Sequence, residues 1–86
     1  MARRRNYKRN PEKYDLREIS ILLKHHIEDV YKGLKKGSVE IAQFSIDDAD
    51  ELLEEQKPPI GYLERVLPEV ARAKLAIFSY IYGLED

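Results

Sequence analysis

Five cations stand close together near the start of the chain with no acid among them: Arg3, Arg4, Arg5, Lys8 and Arg9, all within residues 2–10. Guanidinium and ammonium groups at that density neutralise phosphates, and Tyr7 in their midst offers a ring on which a base can stack. Binding of that kind is steeply salt-dependent and carries no sequence preference, because phosphate contacts hold no base information. The same hook suits other anionic surfaces, an acidic protein or the chain's own acidic half.

The acids are equally clustered, at Asp47, Asp48, Asp50, Glu51, Glu54 and Glu55. Asp48-x-Asp50 begins like a calcium loop, but such a loop takes Gly at its sixth position and Glu at its twelfth, where Pro59 stands here. A helix N-terminus accounts for the first three acids and a solvated face for the rest. Ser45 ahead of this run faintly resembles the cap of a recognition helix, yet six acids on that helix would repel DNA. His25 and His26 are neighbours, and adjacent helical positions diverge by about 100°, so they cannot chelate one ion. His25 with Asp29 would leave a zinc site two ligands short.

Nothing in the chain assembles a nucleophile. There is no Cys, which also excludes a disulfide framework. Ser20, Ser38, Ser45 and Ser79 have no partner base in view. Gly33, Gly37, Gly61 and Gly83 are scattered punctuation rather than a phosphate loop. The sequence therefore implies no catalytic residue, no cofactor, no metal and no small-molecule substrate.

Charge divides the chain in two. Residues 1–36 hold eleven Lys/Arg against five acids, a surplus of +6, while residues 37–86 hold four against eleven, giving −7 and the overall −1. Eighty-six residues make at most one domain, of a size that often gains stability from a partner or from self-association. No apolar run reaches the ~18 residues of a membrane span, and no apolar stretch follows the basic start as in a secretory signal. A cytoplasmic protein without a membrane is expected. Charged residues form 36% of the chain, Thr is absent and Asn plus Gln number four, a balance that leans toward a thermophile.

The elements that carry these residues read as helices. Residues 1–13, closed by Asn10-Pro11, read as a flexible basic arm. Asp15 and Glu18 form a capping-box pattern, after which Leu16, Ile19, Leu23, Ile27, Val30 and Leu34 recur at helical steps. Lys35, Lys36 and Gly37 close that helix. Ser45 reads as the cap of a second helix over roughly 46–57. For residues 38–45 two readings stand: the helical step Val39, Ala42, Ile46 carries the helix back to 39, or a separate turn packs Ile41 and Phe44 elsewhere. The second suits Ile41 and Phe44 better. Lys57-Pro58-Pro59 is a break, with Pro59 placed to open the next helix. From there Leu63, Val66, Leu67, Val70, Ala73, Ile77 and Ile81 keep helical phase, and beyond Pro68 the helix is apolar almost all round. Pro68 predicts a kink or two abutting helices.

The expectation is an all-α domain of three to four helices over residues 14–86, with a kinked C-terminal helix and a disordered basic N-terminal arm. Its expected role is non-enzymatic: a protein-interaction module that self-associates, or docks on a larger protein, through Val70, Ile77, Phe78, Ile81 and Tyr82. The alternative is a nucleic-acid accessory protein that engages phosphates with Arg3, Arg4, Arg5, Tyr7, Lys8 and Arg9.

Overall fold

A computed structural model of the chain describes residues 13–83, which form three helices and no strand. Helix α1 spans Leu16–Lys35, α2 spans Val39–Gln56 and α3 spans Ile60–Tyr82. The start of α1 follows from its capping box. The Asp15 carboxylate accepts from the Glu18 N–H at 2.9 Å, and the Glu18 carboxylate accepts from the Asp15 N–H at 3.2 Å. Two of the helix's otherwise orphaned or flanking donors are satisfied in one exchange.

The turn from α1 to α2 rests on two glycines. Gly37 adopts φ 82°, a conformation that side-chain-bearing residues avoid, and its N–H donates to the Leu34 carbonyl at 3.0 Å. Gly33 is buried on the facing side of α1. A Cβ there would lie 3.0 Å from the Ala42 backbone nitrogen and 3.2 Å from the Ser38 carbonyl oxygen. A side chain there would force its neighbours to give by a few tenths of an ångström, so closely does α2 leave the turn against the last turns of α1.

Helix α2 begins earlier than Ser45. Its cap is Ser38, whose Oγ accepts from the Ile41 N–H at 3.3 Å, and Ser45 is buried in mid-helix. The physical reason is the burial pattern. Ala42, Ser45, Ile46, Ala49 and Leu53 line one face at three- and four-residue steps, with small residues where α2 approaches α1 most closely. That continuous face outweighs the cost of leaving Phe44 exposed and Ile41 about half exposed, with its Cγ2 beside Gly33. Helix α2 ends at Lys57, which takes a left-handed conformation (φ 48°) and donates its N–H to the Leu53 carbonyl.

Pro59 caps α3 as expected, and Pro58 is buried beneath the turn. Pro68 does not divide α3: one helix of 23 residues runs through it. Pro68 lies on the exposed side, where the carbonyl it leaves without a donor faces water. Helix α3 runs alongside α1 in the same direction, and α2 runs antiparallel to both. Near the N-termini of α1 and α3, the Ser20 and Tyr62 hydroxyls are 2.9 Å apart. Near their C-termini, a Cβ on Gly37 would sit 3.4 Å from the Tyr80 hydroxyl.

The core draws on all three helices: Ile19, Leu23 and Val30 from α1, Ala42, Ile46, Ala49 and Leu53 from α2, and Tyr62, Val70, Ala73 and Ile77 from α3. Gln56, buried at the end of α2, ties down the segment before α1. Its side-chain oxygen accepts from the Tyr14 N–H at 2.8 Å and its carbonyl accepts from the Lys13 ammonium at 3.2 Å.

Candidate functional site

Helix α3 carries apolar side chains on two faces, one buried and one exposed. Tyr62, Val66, Val70, Ala73 and Ile77 recur at steps of four and three and turn toward α1 and α2. Those steps keep the residues on one face, and the Tyr62 hydroxyl is satisfied by Ser20.

Yet α3 has more apolar side chains than that face can use. Ile60, Leu67, Leu75, Phe78 and Tyr82 are exposed by 72, 47, 62, 52 and 66% respectively. At about 100° per residue they fall in one stripe, roughly 130° round the helix from the core-facing side. Ala71 lies in the middle of the stripe and is exposed, and Glu64 is the single charged member. Toward the C-terminal end Phe78 and Tyr82 stack with ring centroids 5.6 Å apart, which stiffens two of the largest exposed groups.

A shallow groove borders the stripe where α3 meets α2. Ile46 and Ile77 form its floor, Gln43 and Asp47 one wall, Phe78 and Ile81 the other. Lys74 crosses it to Asp50 at 3.0 Å, with about half of each side chain exposed. A pair so accessible to water adds little stability; it fixes the position of two charges at the rim.

The residues expected to form a protein interface separate here. Val70 and Ile77 are 2% and 6% exposed and belong to the chain's own core, so they are not available to a partner. Phe78, Ile81 and Tyr82 are exposed. Ile60, Leu67 and Leu75 are exposed on α3 as well, on the face turned away from its core residues. That separation follows from the direction in which α1 and α2 pack. The cations expected to meet phosphates, Arg3, Arg4, Arg5, Lys8 and Arg9, lie outside the described residues together with Tyr7, as does most of the expected arm.

Among the described residues, no three His, Asp or Glu side chains come together as metal ligands would. No helix among them is long and apolar enough to cross a membrane. Comparison with protein-family models, with curated proteins and with solved structures finds no match to this chain.

Proposed function

We propose that this protein is a non-enzymatic helical interaction module that associates with itself through the outer face of α3. The observation that carries the reading is the second apolar stripe, five large side chains left in water after the core face of the same helix is already covered. Apolar surface gathered in one place is the usual mark of an interface, whereas single exposed apolar residues are ordinary. Tyr82 and Phe78 are of the types that dominate binding energy at interface centres, since they bury a large rigid area at little entropic cost. A bend at Pro68 belongs to this reading too, because it would set how far the two halves of the stripe depart from a straight line. Leu75→Glu places a charge in the stripe without touching the core. It is expected to lower the mass in solution to that of one chain while leaving the helical circular dichroism unchanged. A dimer mass that survives Leu75→Glu would count against this face.

The charge of Arg3, Arg4, Arg5, Lys8 and Arg9 supports a second role, contact with the phosphates of a nucleic acid. Helix α2 carries seven acids and no Lys or Arg, so any such contact belongs to the N-terminal segment and not to the acidic face of the helical body. Fluorescence anisotropy of labelled DNA and RNA between 50 and 300 mM salt, conditions chosen to span a steep electrostatic dependence, separates the outcomes. Affinity that falls steeply with salt and disappears on deletion of residues 1–12 supports the role. Absence of binding at the lowest salt removes it.

A further inference from the structure

Helix α2 turns a face of one sign to solvent, and the chain enters the fold at the end of that face. Glu40, Asp47, Glu51 and Glu54 are exposed. At about 100° per residue they fall within about 60° of one another, turned away from Ala42, Ile46, Ala49 and Leu53. Asp48 and Glu55 border them, and no Lys or Arg stands on the helix. At the C-terminal end of α2, where the helix dipole is negative, the Lys13 ammonium donates to the Gln56 carbonyl at 3.2 Å. The Tyr14 N–H donates to the Gln56 side-chain oxygen at 2.8 Å. Gln56 thus fixes where residues 1–12 meet the helical body, and Lys13, the next cation after their basic run, already sits on α2. From this we propose that the run Arg3, Arg4, Arg5, Lys8 and Arg9 docks lengthwise on the acidic outer face of α2 in its own chain.

Length and charge both fit. Along the helix Asp47 lies about 14 Å from Gln56, and Glu40 about 24 Å. Four residues of extended chain reach at most about 14 Å and ten at most about 35 Å. Counted from Lys13, Arg9 can therefore come level with Asp47, and Arg3 with Glu40. Residues 2–10 hold five cations and no acid, against seven acids on α2, of which Asp50 already faces Lys74. Exposed ion pairs are weak singly. Here one end of the segment is held at Gln56, so the remaining pairs form within one molecule, at an effective concentration on the order of millimolar. The docking needs neither the self-association nor the nucleic acid proposed above. Where the second role holds, α2 competes with phosphates for the same cations.

The chain has no Cys, so Asn6→Cys supplies a single thiol for a nitroxide in the middle of the basic run. In the full isotope-labelled chain at about 0.1 M salt, the nitroxide is expected to weaken the amide signals of α2 from Asp47 to Glu54 more than those of α1 and α3. At about 1 M salt, where the screening length falls from about 10 Å to about 3 Å, those signals are expected to return. Asp47→Asn, Asp48→Asn and Glu54→Gln combined, at three exposed positions, are expected to restore them at low salt with the helical circular dichroism unchanged. Weakening confined to the residues around Tyr14 and Gln56, or weakening that salt does not alter, would overturn the docking. A mixture of nitroxide-bearing unlabelled chain with labelled chain lacking the nitroxide is expected to show no loss on α2. Loss there would assign the run to a second copy and overturn docking within one chain.

Discussion

At the residue scale the tightest constraint is at Gly33. Helix propensity alone favours alanine there by about 1 kcal/mol. The space does not: the added Cβ would press on the Ala42 nitrogen at 3.0 Å, on Ile41 Cγ2 at 3.1 Å and on the Ser38 carbonyl oxygen at 3.2 Å. Two of those three atoms are backbone and cannot rotate away, so the N-terminal turn of α2 must move. The Ser38 N–H also donates to the Gly33 carbonyl at 2.8 Å, a bond that this movement lengthens. Gly33→Ala is therefore expected to destabilise the domain by about 1–3 kcal/mol, the usual cost of overpacking a close approach. Urea denaturation followed by circular dichroism measures it. A stabilised variant would mean that the α1–α2 crossing is looser than described.

At the element scale the two faces of α3 differ in burial, and the proposed self-association gives them different thermodynamic roles. Ile77 is 6% exposed and Leu75 is 62% exposed, two positions apart on the same helix. Ile77→Ala is expected to cost about 2–4 kcal/mol of stability, through lost burial and the cavity left behind. Leu75→Ala is expected to change the stability of the single chain by no more than ~0.5 kcal/mol, and instead to weaken association. Denaturation at several protein concentrations distinguishes the two, since only an interface residue alters the concentration dependence. Much of the helical architecture is legible in the residues themselves. The capping box of Asp15 and Glu18, Gly37 in its left-handed turn and the Pro58-Pro59 break each mark a boundary by local chemistry. The start of α2 is less so, because Ser38 and Ser45 are both good caps. The tie is broken by the fit of Ala42 against Gly33 of α1 and by the burial of Ser45, tertiary effects both. The placing of Val70 and Ile77 in the core has the same origin. On a helix apolar nearly all round, periodicity cannot say which side its neighbours will cover.

For the whole molecule, one observation governs the account: a third helix whose apolar surface exceeds what two neighbours can bury. Among the described residues the core is assembled from eleven buried apolar side chains, a modest number for holding a domain against its conformational entropy. Pairing through α3 would add the stripe's area to what stabilises the fold, and would make folding and association partly the same event. Charge fits this arrangement. Asp47 and Asp50 of α2 stand at the groove beside Phe78, and Lys74 is held toward Asp50, which offsets one of the two acids nearest the stripe. The most direct test is sedimentation velocity on the intact chain across a hundredfold range of concentration, beside Leu75→Glu. The account predicts a reversible shift from one chain to two for the intact protein, and a single chain throughout for the variant. An intact protein that sediments as one chain at every concentration would contradict it.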